Sequence, residues 1–104
     1  MSIDVEDNTE ARRYELFEDG ERRGFADYEL VGDRISLLHV KIDEDHEGGG
    51  YGRALVDAML SDARDRKLGV MPFCPFVRAM IGRNRERYLD LVPEDSRALF
   101  GFGA

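Results

Sequence analysis

Cysteine is almost missing from this sequence. Cys74 is the only one in 104 residues, so no internal disulfide framework is possible and the fold must rest on its core. A chain of this length buries roughly 65% of its unfolded surface, enough for a single core, and residues 1–104 are read as one domain. Long apolar runs are absent as well. No segment approaches a membrane span, and the start, MSIDVEDNTEARR, lacks the apolar stretch of a signal peptide; a cytoplasmic protein with no membrane partner is expected. Basic residues are outnumbered, 15 Lys and Arg against 22 Asp and Glu, giving a formal net charge of -7. That balance argues against nucleic acid as a partner, because such a surface must neutralise phosphates.

What the chain has in plenty is glycine, concentrated in one place. In His46-Glu47-Gly48-Gly49-Gly50-Tyr51-Gly52-Arg53-Ala54, four glycines fall within five positions. Upstream, residues 2–12 are polar, and about the first ten are expected to be disordered. Residues 13–42 then read as an antiparallel meander. Tyr14 and Leu16 alternate with charged residues, Asp19-Gly20 and Gly32-Asp33 mark the turns, and Ala26, Tyr28 and Leu30 share one face of the second strand. In the third strand, simple alternation puts Ser36, Leu38, Val40 and Ile42 on one side and Ile35, Leu37 and His39 on the other. After the glycines, Tyr51, Leu55, Val56, Met59, Leu60 and Ala63 recur at helical spacing, which predicts an amphipathic helix from about Gly50 to Lys67. Leu68 to Phe73 reads as a fourth strand. Pro75 opens a short helix through Ile81, and a third short helix is expected around Asn84 to Leu91.

Three antiparallel strands, a glycine turn, a helix and a fourth strand make an α+β chain in which the last strand pairs in parallel with the third. A glycine-rich turn entering a helix leaves several amide N–H groups free to converge on one anion, with the helix dipole in support; phosphate is the natural candidate. The other reading is that the glycines only relieve a tight turn. A nucleotide P-loop would need Gly-Lys-Ser/Thr where Gly52-Arg53-Ala54 stands. A dinucleotide fingerprint started at Gly48 would need glycine at position 53 and a longer chain of crossover units.

The letters instead resemble the coenzyme A loop of the GNAT superfamily of N-acetyltransferases, Arg/Gln-x-x-Gly-x-Gly/Ala, through Glu47-Gly48-Gly49-Gly50-Tyr51-Gly52. More specifically, the chain is similar to a minimal single-domain subgroup. Its strand end is matched by His39-Val40-Lys41-Ile42, its Pro-x-Cys-x-x-Val segment by Pro72-Phe73-Cys74-Pro75-Phe76-Val77, and its ending by Arg83-Asn84 through Val92. The resemblance covers about residues 14–92. It implies a GNAT-like fold, acetyl-CoA as cosubstrate and transfer of acetyl to an amine. The pantetheine arm would follow Val40, Lys41 and Ile42, the pyrophosphate would sit on Gly48, Gly50, Tyr51, Gly52 and Arg53, and Asn84 would join the cofactor site. The superfamily's helical hairpin after the first strand has no room here. An open acceptor site follows, which suits a peptide or protein amine. The alternative is a non-catalytic module that keeps the fold and binds CoA or a protein partner. A monomer or weak dimer is expected.

Glu47 departs from the loop pattern, which has a basic residue or glutamine there, and Asp43, Glu44 and Asp45 add carboxylates beside an anionic ligand. Compensating charge can come from Arg53, or from Arg78, Arg83, Arg85 and Arg87; those last four can equally form a solvated face pairing with Glu86 and Asp90. The acidic loop either attracts a cationic acceptor or merely solubilises. Cys74, before Pro75 at a helix start, either takes the acetyl group, lines the thioester pocket, or is a small core residue. His39 is either a base or a satisfied core histidine. No metal site is expected of Asp43, Glu44, Asp45 and His46, whose adjacent side chains lack a supporting ligand elsewhere.

Overall fold

A computed structural model describes residues 2–46 and 49–103. Five strands form one sheet in sequential order: β1 (Ile3–Asn8), β2 (Arg13–Glu18), β3 (Glu21–Val31), β4 (Arg34–Ile42) and β5 (Gly69–Pro72). β1 to β4 are antiparallel neighbours, whereas β4 and β5 run parallel, with helix α1 (Tyr51–Asp65) making the crossover between them. Helices α2 (Pro75–Arg83) and α3 (Arg85–Tyr88) and two short 3-10 turns complete the chain. Among the described residues, no helix is long and apolar enough to cross a membrane.

Alternation places Tyr14, Leu16, Ala26, Tyr28, Ile35, Leu37 and Val70 on one sheet face, and the apolar stripe Leu55, Val56, Met59, Leu60 and Ala63 of α1 closes over them. Residues of α2, α3 and the C-terminal tail extend the same core, through Val77, Met80, Ile81, Tyr88, Val92 and Phe102. Burying this many aliphatic side chains, at about 1.5–3 kcal/mol each, is what holds a chain without disulfides.

Three expectations are corrected. Residues 3–8 are ordered into β1, which pairs along its length with β2 from Ile3↔Glu18 to Asn8↔Arg13. Its polar sequence is compatible with an edge position, where hydrogen bonds to β2, the packing of Val5 and contacts from Asp7 replace a strong apolar pattern. The face assignment in β4 also changes midway. Asp27 faces His39 but Tyr28 faces Leu37, so Leu38 is an extra residue on β4 and the strand bulges there. Beyond the bulge the faces exchange: Val40 and Ile42 turn to the core, and His39 is exposed on the outer face beside the Phe25 ring, 6.4 Å between centroids. Leu30, expected beside Ala26 and Tyr28, is exposed.

The parallel pairing of β4 with β5 ends at Leu37↔Pro72, while β4 itself runs on to Ile42. Pro72 and the turn that follows carry the chain away, and the Cys74 amide donates back to the Leu37 carbonyl at 2.9 Å. The two strands therefore part at the bulge.

Candidate functional site

A cleft of about 370 Å³ opens where the strands separate, lined by Val40, Ile42, His46, Gly50, Tyr51, Gly52, Arg53 and Phe76. One wall is the exposed end of β4, the floor is the first turn of α1, and Phe76 from α2 forms the opposite wall. The N-terminal cap of α1 is Gly50, in the left-handed region at φ 83° with no side-chain capping bond. The Ala54 amide is the first to reach a cap carbonyl, donating to Gly50 at 3.0 Å. The amides of Tyr51, Gly52 and Arg53 have no such partner among the described residues, so this first turn presents donors and the positive end of a helix dipole to the cleft.

The glycines differ in what surrounds them. A Cβ on Gly52 would stand 3.0 Å from the Phe76 ring and 3.6 Å from Ile42, so its absence keeps the cleft open between them. A Cβ on Gly50 would meet nothing within 4 Å; there the left-handed φ is the requirement. Gly24, on β3, passes under Ile42 so closely that a Cβ would lie 2.8 Å from the Lys41 carbonyl oxygen and 2.5 Å from the Ile42 side chain, which fixes the path of the cleft's β4 wall. Glu47 and Gly48 lie outside the described residues.

Of the residues that the resemblance implied, Val40, Ile42, Gly50, Tyr51, Gly52 and Arg53 line one cleft; Lys41, between two lining residues, is exposed. Asn84 stands apart from that cleft, in a separate concavity lined by Gly82, Arg83, Asn84, Arg85, Glu86 and Arg87, and its side-chain amide donates to the Met80 carbonyl at 2.8 Å. Cys74 caps α2, only 5% exposed within the core cluster. His39 occupies the other face of the sheet. Phe76, His46 and the ring of Tyr51 are cleft residues that sequence reasoning did not single out. The signal for Phe76 was an aromatic in the first turn of a helix otherwise facing the core.

Charge is distributed unevenly. Among the described residues, Arg12, Lys41, Arg53, Lys67, Arg78, Arg83, Arg85 and Arg97 have no carboxylate within 4.0 Å, whereas Arg13, Arg22, Arg23, Arg34, Arg64, Arg66 and Arg87 are all paired. Arg87 pairs with Asp57, and the expected partner Asp90 is held instead by Arg64. Five of the eight unpaired cations, Lys41, Arg53, Arg78, Arg83 and Arg85, belong to the end of β4, the start of α1 and the α2–α3 segment, whereas Arg12, Lys67 and Arg97 lie elsewhere. An acidic protein thus keeps part of its unpaired positive charge near its cleft, an arrangement fit for an extended anion with an apolar middle. No cluster of His, Cys, Asp or Glu among the described residues is placed to hold a metal ion.

Comparison with known proteins agrees with this geometry. Residues 13–91 match the family model of GCN5-related N-acetyl-transferase. Comparison with curated proteins finds no match. Among solved structures, the ribosomal-protein-S18-alanine N-acetyltransferase from Escherichia coli is similar at 25% identity and a TM-score of 0.53, over 56% of this chain and 38% of that one. The N-acetylglutamate synthase from Neisseria gonorrhoeae, complexed with coenzyme A and N-acetyl-glutamate, is similar at 20% identity and TM-score 0.52, over 59% of this chain and 15% of that one. A GCN5-like protein from Staphylococcus aureus gives TM-score 0.65 at 20% identity, over 89% of this chain and 91% of that one. The chain thus spans only 38% and 15% of the first two proteins, and the likenesses at 20% identity concern the fold.

Proposed function

The chain belongs to the GCN5-related N-acetyltransferase family, and on that premise we propose that it binds acetyl-CoA in the cleft between β4 and α1 and transfers the acetyl group to an amine of a peptide or protein. The observation that carries this reading is the cleft itself: first-turn amides with no backbone partner among the described residues, the glycine floor and parted strands in one place. Phosphate oxygens would accept from the amides of Gly50, Tyr51, Gly52 and Arg53, where missing Cβ atoms allow close approach. The pantetheine arm would run along Val40 and Ile42 against Phe76. Arg83, Asn84 and Arg85, in their neighbouring concavity, are assigned to the outer phosphates of the nucleotide. That a structural relative is complexed with coenzyme A is in accord with CoA as the ligand.

The thioester would then reach the β4 bulge. There an amine entering from the outer face could attack the carbonyl carbon, with a β4 backbone amide near Val40 stabilising the oxyanion and CoA thiolate leaving. His39, exposed on that outer face, is assigned as the base that takes the amine proton. Cys74 is assigned to the wall of the thioester pocket, since direct transfer requires no acyl-cysteine. Only a turn of residues 9–12 joins β1 to β2, which leaves the acceptor side open. Openness favours a chain-like acceptor over an enclosed metabolite, and the E. coli relative, which acts on a ribosomal-protein alanine, is in accord with that. The test is release of CoA thiol from acetyl-CoA in the presence of peptide N-termini, lysine peptides and small amines. Peptide-dependent turnover, lowered about 100-fold by His39→Ala, is expected. Binding of CoA without turnover on any amine would favour the non-catalytic alternative.

A further inference from the structure

Glu18 ends β2 with its carboxylate on the core side of the sheet, and it is only 9% exposed. It is not left unsatisfied. The Tyr51 hydroxyl donates to Glu18 Oε2 at 2.6 Å, Arg23 Nε lies 3.6 Å from Oε1, and His46 Nε2 lies 3.9 Å from Oε1. Arg23 shares its charge with Glu21, at 3.0 Å, so Glu18 faces a guanidinium that is already partly neutralised. The Tyr51 hydroxyl proton is correspondingly held, its pKa raised by the bond to Glu18 first and by burial second.

Tyr51 does more than fill space. It is the first residue of α1, contributing one of the amides that face the cleft, and its ring backs the glycine turn: a Cβ on Gly49 would come within 2.7 Å of that ring. His46, at the other end of the turn, packs edge-on against the same ring, with centroids 5.6 Å apart. Gly49 and His46 both pack on the tyrosine ring, and the tyrosine hydroxyl is fixed by Glu18. We propose that Glu18 and the Tyr51 hydroxyl are positioning residues of the cofactor site, pinning the glycine turn from β2 so that its amides are aligned before the ligand arrives. This deepens, and rests on, the reading of the cleft as a CoA site.

Loss of a purely structural hydrogen bond would lower stability and leave ligand affinity alone, so the test separates the two. Tyr51→Phe, Glu18→Gln and the double variant are compared by CoA titration, by thermal unfolding, and by backbone NMR order parameters of Gly49 to Gly52 in the ligand-free protein. Tyr51→Phe, which keeps the ring but drops its hydroxyl, is expected to weaken CoA binding roughly three- to tenfold, the size of one lost hydrogen bond. Glu18→Gln, which retains an acceptor, is expected to weaken it less. The double variant should match Tyr51→Phe alone, because both changes break one link. Order parameters of the turn should fall in step with affinity. Additive losses, or unchanged affinity and order with only a lower unfolding temperature, would overturn the proposal. If the wild-type chain binds no CoA, the functional reading fails, and the order parameters still decide whether Glu18 pins the turn.

Discussion

Gly50 and Gly52 are two positions apart and are held to glycine by different forces. At Gly50 the left-handed φ is the constraint, and Gly50→Ala should cost about 1–2 kcal/mol of stability, measurable by denaturant unfolding. At Gly52 the backbone is helical and the constraint is the cleft. Gly52→Ala should leave stability nearly unchanged, since helix propensity gained offsets crowding of Phe76, yet it should weaken CoA binding severalfold by narrowing the cleft. Equal behaviour of the two variants in both measurements would remove the distinction. Cys74 yields a third test: being only 5% exposed, it should alkylate slowly in the native chain and at full rate once unfolded. Fast native labelling, blocked by CoA, would return it to the covalent role. The glycine floor was legible in the sequence because glycines signal both φ and close approach. Glu18 was not, since its partner Tyr51 lies 33 positions further along the chain and only the fold joins them.

Tyrosine–carboxylate bonds fasten α1 along its length. Tyr14 of β2 donates to Asp62 near its end, Tyr88 of α3 donates to Asp57 at its middle, and Tyr51 donates to Glu18 at its start. Tyr28 does the same for β1, donating to Asp7, which Arg66 also approaches at 3.5 Å. Burial, and then the bond to Asp7, push the Tyr28 pKa up to about 12; Tyr14 is raised too, by burial and then by Asp62. A phenol raised above its unfolded value of 10.0 stabilises the fold fully below that pH and progressively less as pH climbs toward the folded value. Thermal unfolding temperature should therefore fall steeply between about pH 10 and 12, and Tyr28→Phe should flatten part of that fall. A flat profile across that window would show that these bonds carry little of the stability. At this scale the sequence was largely readable. The meander over β2–β4 and helix α1 follow from period-2 and period-3.6 spacing, because each buries one face, whereas β5 is marked by a short apolar run and α2 by Pro75 at its start. The bulge at Leu38 was not, because adjacent apolar residues, Leu37 and Leu38, let the strand alternate in either register. β1 was missed because an edge strand draws its order from its neighbour.

Seen whole, the molecule is acidic, with a net charge of -7, yet five of the eight cations without a carboxylate partner among the described residues lie at the end of β4, the start of α1 and along the α2–α3 segment. Binding of a polyanion against that background should weaken as salt rises. Arg83→Glu with Arg85→Glu should both lower CoA affinity and reduce this salt dependence, as read by titration over a range of ionic strengths. An unaltered salt slope would move the nucleotide away from the α2–α3 concavity. The most direct measurement is a calorimetric titration of acetyl-CoA into the wild-type chain and into Gly52→Asp, with circular dichroism to establish that both are folded. Saturable binding at one site in the wild type, abolished when a carboxylate and a Cβ occupy the floor of the cleft, is the expected result. No binding by the wild type, or equal affinity in a folded Gly52→Asp variant, would contradict the assignment of this cleft to the cofactor.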